Sequence, residues 1–259
     1  MNKIVRSLLL QFPKTYDFIY KIKNTYQVNY YLKKVHEPDF MAFNLLCADE
    51  PQLFLDIGAN VGMSALSIFT LKSNAKVISF EPNLVNYPYL ERLVSKFNNF
   101  QYMPVGLGDV ASSLDFYYPI YNNKHMTALG SCDRDTAGSW LNKDRVYFFD
   151  SNKLKIEKIT IDVQTLDSFN LQPDFIKIDV EGFEYQVLLG SEQTINDHRP
   201  ILLIEGVAKD DQVHQKLKNW RYTAFKFFNN QFYLDDFDCD NNFFIPEEKM
   251  AMISAYLNK

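Results

Sequence analysis

The sequence predicts an α/β fold with a doubly wound, mostly parallel sheet, and three observations carry that reading. Short apolar runs of strand length alternate along the chain with stretches of helical periodicity. The first of these strands, supplied by Leu53, Phe54, Leu55 and Ile57, runs into a glycine turn from Gly58 to Gly62 and then a helix from Met63 to Leu71. An acid, Glu81, closes the next strand 23 positions after Gly58, close to the ~20-residue spacing at which a carboxylate reaches a cofactor ribose.

Composition narrows the classes. At 259 residues the chain has room for one large α/β domain or two small ones, and 47% hydrophobic residues fill a sizeable core. A net charge of −5 disfavours general nucleic-acid binding. Cys47, Cys132 and Cys239 are far apart, with neither zinc-ligand spacing nor a disulfide framework, so a cytoplasmic location is expected. His36, His125, His198 and His214 form no HxH or HExxH pattern. No apolar run approaches the ~18 residues of a membrane span. Ile4 to Leu10 is too short for a secretory signal, and no small-residue cleavage site follows it.

Residues 1–35 carry seven Lys or Arg and one acid, Asp17, a local net of +6 that leaves −11 on the remainder. Val5, Leu8, Leu9 and Phe12 recur at helical spacing; Pro13 interrupts them and Ile19, Ile22, Tyr26 and Tyr30 continue. The favoured reading is a helical cap over residues 1–50. The alternative is a basic amphipathic segment in peripheral contact with an anionic membrane or a glycolipid acceptor. Pro38 suits the first turn of a helix that buries Phe40, Phe43, Leu45 and Leu46.

From residue 51 to 259 the chain reads as a single ligand-binding domain. Lys76–Phe80 is a strand ended by Pro82, Tyr89–Phe97 a helix, and Phe100–Val105 a third strand leading to Asp109. The segment near 110–165 is longer than a helical crossover and reads as an insertion with alternating strands around Phe116 and Ile161. Its polar middle, Tyr121 to Trp140, is expected to cover an acceptor. Phe175, Ile176, Ile178 and Val180 make a buried strand, and a helix through Val187 and Leu188 stops at Gly190. Strand Ile201–Glu205, a helix through Val213, Leu217 and Trp220, and strands around an Asn229-Asn230 turn and Phe243–Ile245 follow. Pro246 with Glu247 and Glu248 opens a final helix.

In open α/β sheets ligands bind outside the carboxyl ends of the strands. Asp56, Glu81, Asp109, Asp179, Glu181 and Glu205 all lie at such ends. Each alone reads equally well as a cap or a solvated loop acid, but an acid at every consecutive strand end is harder to explain that way.

The stretches LDIGANVG at 55–62, FEP at 80–82, VGLGD at 105–109, VQTLDSF at 163–169, IKIDVEGFEYQVLLG at 176–190 and LLIEG at 202–206 resemble the FkbM family of S-adenosylmethionine-dependent methyltransferases. The resemblance runs from about Leu53 to Ile245, and the IDVEG block is its most specific part; residues 1–35 and 119–155 match no family pattern. It implies a class I methyltransferase, Rossmann-like fold, with a seven-stranded sheet, a C-terminal antiparallel hairpin and an inserted β segment. By that likeness Asp56, Gly58, Asn60 and Gly62, with Ala59, would hold the methionyl part of S-adenosyl-L-methionine. Glu81, beside Pro82, would accept the ribose hydroxyls. Asp109, with the Gly106 or Leu107 backbone, would lie near the adenine, and Asp179 near the methionyl end or the acceptor. The implied reaction is O-methylation of a sugar, glycan or related metabolite.

Direct displacement at an activated methyl needs alignment above all, and an alcohol acceptor gains from a general base, worth ~10²–10⁴-fold. Asp179, Glu181 and Glu205 are the candidates, with His125 from the insertion behind them. No metal site is assigned; magnesium on Asp179, Glu205 and a third oxygen ligand is the less favoured alternative. The competing functional readings are an NAD(P)-dependent oxidoreductase acting on a nucleotide sugar and a non-catalytic subunit of the same fold. Against the former, Asn60 replaces the middle glycine of the usual fingerprint, and the Tyr30/Lys34 pair precedes the glycine turn. Asp179-Val180-Glu181-Gly182 also stands where a nucleic-acid amino-methyltransferase would carry its Asp/Asn-Pro-Pro-aromatic stretch.

Overall fold

The structure, a computed structural model, describes residues 3–11, 34–46 and 52–258. The continuation of the apolar helical pattern through Ile19, Ile22, Tyr26 and Tyr30 lies outside the described residues. The chain divides into two compact units, one joining Met1–Tyr30 to Ser113–Ile161 and the other Tyr31–Ser112 to Asp162–Lys259.

In chain order the strands are β1 (Leu53–Ile57), β2 (Lys76–Phe80), β3 (Phe100–Met103), β4 (Gly106–Leu107), β5 (Ser112–Tyr121), β6 (Lys124–His125), β7 (Leu154–Gln164), β8 (Phe175–Ile178), β9 (Ile201–Glu205), β10 (Tyr222–Phe228), β11 (Gln231–Leu234) and β12 (Asn241–Pro246). The α-helices are α1 (Lys3–Gln11), α2 (Phe43–Leu46), α3 (Met63–Leu71), α4 (Tyr87–Lys96), α5 (Arg134–Ser139), α6 (Glu184–Leu189), α7 (Glu192–His198) and α8 (Gln212–Asn219).

The larger unit is built on one sheet in the order β11-β10-β12-β9-β8-β1-β2-β3. Strands β3, β2, β1, β8 and β9 run parallel, and β12, β10 and β11 add antiparallel pairs. The α/β class with a mostly parallel sheet is as expected, but the sheet has eight strands rather than seven. Every residue of β12 is buried, which demands an interior place between β9 and β10, whereas β11 buries only Phe232 and suits the edge. The hairpin joining β10 to β11 turns on Asn229 and Asn230 at φ 49° and 60°, the left-handed pair that a two-residue hairpin needs.

Other boundaries move for local reasons. The third strand stops at Met103 rather than Val105, since Pro104 offers no N–H to the ladder. The final helix is a 3₁₀ segment, Glu247–Met252. Helix α7 has no counterpart in the sequence reading; it covers only seven residues, too few for a periodic signal.

Alternation along the strands sorts the core into two faces. Leu55, Ile57, Ile78, Phe80, Ile176 and Ile178 share one hydrophobic cluster with Val187, Leu188 and Leu217 from the helices. On the other face Phe54 stacks on Phe175 at 4.6 Å, and Phe43 of α2 stands edge-on to Phe54, Phe175 and Phe243 at 5.2, 5.3 and 5.8 Å. This aromatic cluster fixes residues 34–46 on the sheet. Phe43→Leu keeps most of the apolar volume and loses the ring pairs, so chemical denaturation should show a loss of about 1–2 kcal/mol. An unchanged midpoint would show that the rings contribute only bulk.

In the smaller unit β6 folds back on β5 through Ile120↔His125, around Asn122 and Asn123 at φ 50° and 63°. Lys158 and Asp115 pair at 2.7 Å between β7 and β5. Leu10 of α1 is buried with Tyr121, Leu141 and Val146. Among the described residues no helix is long and apolar enough to cross a membrane.

Candidate functional site

The carboxyl ends of the parallel strands carry a polar row on the same face as the Phe54–Phe175 stack. Asp56 sits opposite Ser79 of β2 on one side and Lys177 of β8 on the other. Across the antiparallel junction Glu205 sits opposite Asn241. Apolar residues thus fill the lower part of this face and ionisable ones its upper end.

The glycine turn is held tightly against that end. Gly58 and Ala59 donate their amides to Phe80 O at 3.0 and 3.1 Å, and Gly62 donates to Ala59 O at 2.7 Å. Gly58 and Gly62 have φ of 84° and 82°, and Asn60 has φ 47°. A Cβ at Gly58 would overlap the carbonyl oxygen of Asp179, so the turn requires glycine for close approach as well as conformation. Glu81 is buried, and its carboxylate takes the Asn60 amide at 2.7 Å and the Asn83 amide at 2.8 Å. Burial raises this carboxyl to about 7, against the lowering effect of those amides. Pro82 places its carbonyl to accept from the Tyr87 hydroxyl at 3.2 Å.

Lys177 is only 5% exposed, and its Nζ donates to Asp179 Oδ2 at 2.7 Å. Burial works against the charge on Lys177, yet Asp179 and Asp56 hold its pKa above the ordinary value. Asp179 feels the same opposition: burial pushes it up, and Lys177 together with a hydrogen bond from Glu205 brings it below the usual carboxylate range. Glu205 is raised to about 8 by burial and by sharing that hydrogen bond with Asp179. Glu181, in a left-handed conformation at φ 54°, is raised to about 7 by burial and by the charge of Asp179. Of this pair, Asp179 beside Lys177 favours the carboxylate and Glu205 the protonated form.

The family-model comparison matches residues 56–226 to the methyltransferase FkbM domain, more than half of the chain. The chain belongs to the FkbM methyltransferase family. No curated protein matches it. Among solved structures it is similar to the FkbM methyltransferase from Methylobacillus flagellatus KT, with 14% identity and TM-score 0.48 over 86% of this chain, and it spans 59% of that protein's length. It is also similar to a precorrin-6y C5,15-methyltransferase from Geobacter metallireducens GS-15, at 12% identity and TM-score 0.39, over 82% of this chain and 88% of that one. Aeropyrum pernix fibrillarin in complex with natively bound S-adenosyl-L-methionine matches at 13% identity and TM-score 0.40, over 82% of this chain and 70% of that one. These structural likenesses are distant; membership in the FkbM family rests on the sequence match.

Within this FkbM domain the structure brings Asp179, Glu205 and Glu181 together, and Glu81 with the glycine turn. It sets three of the sequence candidates apart. Asp56 has no exposed surface: Oδ2 accepts from Ser79 Oγ at 3.0 Å and Oδ1 is buried without a hydrogen-bond partner. Its influence on the site runs through the charge of Lys177, which opposes the rise that burial imposes on it. Asp109 is exposed on the loop after β4, while Gly106 and Leu107 are buried and pair in parallel with Val163 and Gln164. His125 belongs to the smaller unit, exposed on β6 with its ring 5.6 Å from Tyr118. Among the described residues no group of three or more His, Cys, Asp or Glu is placed to hold a metal ion.

Lys177 is the residue the sequence reading missed. Its signal was present: a charged side chain inside the four-residue buried strand FIKI. His36 was read only as a histidine outside any metal pattern. Its Nδ1 lies 2.7 Å from Ser67 Oγ and its Nε2 3.3 Å from Glu37, while Asn241 donates to Glu37 at 3.3 Å and Asp39 at 3.2 Å. That cluster joins residues more than 200 positions apart, beyond any local pattern.

Proposed function

We propose that this protein transfers a methyl group from S-adenosyl-L-methionine to a hydroxyl of a sugar, glycan or related secondary metabolite. One observation carries the choice of cofactor: the glycine turn abuts the carbonyl of Asp179, at a strand end where Asp179, Glu181 and Glu205 gather and Lys177 is already bound to Asp179. A phosphate would find no free cation there, since Lys177 is bound to Asp179, whereas a sulfonium and an ammonium would draw the raised carboxyls of Glu181 and Glu205 into their ionised, attractive form. The residues fit the group on the ribose side too, since the Asn60 and Asn83 amides fix Glu81 and leave further lone pairs to accept hydroxyls.

When bound, S-adenosyl-L-methionine supplies an activated methyl. The chain's own residues do the rest. Glu81 orients the ribose, and the Gly58–Gly62 turn gives close backbone approach. Asp179, ionised beside Lys177, accepts the hydrogen of an acceptor hydroxyl, and Glu205 holds the neighbouring proton until the pH passes about 8. A small cleft of about 140 Å³, lined in part by Gly182, Tyr185, Glu205 and Gly206, gives an acceptor access to Glu205.

Calorimetry tests the reading. S-adenosylhomocysteine should bind and NAD should not. Because ribose hydroxyls favour the ionised form of Glu81, affinity should fall as pH drops below about 7, and binding there should release a proton. Glu81→Gln should bind about 10- to 100-fold more weakly and lose that pH dependence. Tight NAD binding with no response to S-adenosylhomocysteine would sink the proposal.

A further inference from the structure

We infer that the outer flank of α1 and the adjoining segment Lys143–Phe148 form a docking surface for an anionic lipid bilayer. The surface belongs wholly to the smaller unit, so it is independent of the methyl-transfer reading.

Helix α1 is tied to this segment along its length. Lys3 Nζ donates to Lys143 O at 3.0 Å and lies 4.3 Å over the Tyr147 ring. The Tyr147 amide donates to Ser7 Oγ at 2.7 Å, and Gln11 Nε2 donates to Phe148 O at 2.9 Å. Positions 3, 7 and 10 therefore face inward, with Leu10 in the core of the unit. Positions 4, 8 and 11 form the next flank around the helix. That flank presents Ile4 and Leu8, and Gln11 at its end holds the backbone of Phe148 beside them.

Phe148 is 91% exposed and has φ 56°. A bulky aromatic residue in the left-handed region is a genuine outlier, and such strain persists where surrounding contacts fix it. Here the Gln11 bond and the buried Val146 fix the backbone on either side, and the ring points outward without packing return. Ile4, Leu8 and Tyr147 add three more exposed apolar side chains to the same patch.

The charge around these side chains selects the occupant. Lys3 reaches the Lys143 carbonyl and the Tyr147 ring, and Lys143 and Arg145 are exposed in the same segment, with Asp144 the one acid in Lys143–Phe148. Apolar side chains ringed by Lys and Arg, with aromatic residues at headgroup level, match the chemistry of an anionic lipid surface. An acidic partner protein would pair with the lysines but would leave Phe148, Ile4 and Leu8 without an apolar seat.

Sedimentation of the full chain with vesicles tests this. Vesicles of phosphatidylcholine containing phosphatidylglycerol should carry the protein down at low salt, vesicles of phosphatidylcholine alone should not, and added salt should release it. Phe148→Asn tolerates the left-handed backbone, keeps the fold, and should weaken partitioning roughly tenfold. Lys143→Glu should weaken it by a similar factor on the anionic vesicles. Protein left in the supernatant with anionic vesicles at low salt would overturn the inference. So would unchanged binding by Phe148→Asn, which would assign any membrane contact to other residues. A wild-type dimer in sedimentation velocity that Phe148→Asn dissolves would show that the patch meets a second copy of the chain instead.

Discussion

Lys177→Met should destabilise the larger unit by about 3–5 kcal/mol at neutral pH, the cost of removing one partner from a buried ion pair. The substitution leaves Asp179 and the wholly buried Asp56 without their cation, while methionine fills the aliphatic space. The pH dependence identifies the cause. In the native protein Asp179 lies below its unfolded pKa, so its contribution is present above the ordinary carboxylate range and is lost as pH falls through the folded value. Lys177 lies above its unfolded pKa, so its contribution is present below 10.5 and is lost as pH rises through the folded value. Both contributions vanish in the variant. Asp56, already raised by burial, rises further. A raised carboxyl contributes stability only at low pH and loses it as pH rises through the folded value. The part of the deficit due to Lys177 should therefore already be present near pH ~4, and the part due to Asp179 and Asp56 should add to it as pH rises towards neutrality. Urea unfolding of both proteins across that range measures it, and a deficit independent of pH would mean that lost packing, not charge, is responsible.

The same ion pair shows what local sequence carries and what it does not. Glu81 and the glycine turn were legible because their partners are near in sequence: the Asn60 amide is 21 positions from Glu81 and the Asn83 amide only two. Asp179 and Glu205 were legible as strand-end acids because parallel strands of similar length end at one edge. Their shared proton was not legible, since it depends on β8 and β9 lying side by side. Asp56 is a strand-end acid that the FkbM resemblance assigns to the methionyl group; its side chain lies on the buried face it shares with Phe54, opposite Ser79 and Lys177. One polar residue among the apolar ones of each of LFLDI, VISF and FIKI, aligned by the register of β2, β1 and β8, is the pattern that would have found the buried row.

The sheet order shows a similar limit. The strands from Tyr222 onward were each visible, but nothing local places β12 inside and β11 outside. The order follows from which run is buried throughout, a property of the assembled sheet. The His36–Ser67 and Asn241–Glu37 contacts likewise arise only because the Phe43 cluster fixes residues 34–46 over the polar row.

Gly58→Ala should cost about 2–5 kcal/mol and abolish measurable binding of S-adenosylhomocysteine. Two effects combine there. An alanine at φ 84° occupies the left-handed region at about 1–2 kcal/mol. Its Cβ would also overlap the Asp179 carbonyl, which β8 cannot withdraw while the Asp179 amide bonds Ile57 O at 3.0 Å. Relief requires the turn to lift, at a further cost of about 1–3 kcal/mol. Lifting it pulls the Gly58 and Ala59 amides from Phe80 O and the Asn60 amide from Glu81. Gly182→Ala separates the two effects. Gly182 has φ 98°, but nothing lies within 4 Å of its missing Cβ. That variant should show only the conformational cost and retain cofactor binding. Gly62→Ala falls between them, since its Cβ meets Leu93 Cδ1, the end of a side chain that can rotate. Thermal unfolding and calorimetry on the three variants would order them Gly58, Gly62, Gly182. Equal losses at Gly58 and Gly182 would mean that the turn is constrained by its backbone conformation and not by its approach to β8, and the acidic strand end would then have no steric hold on the cofactor's position.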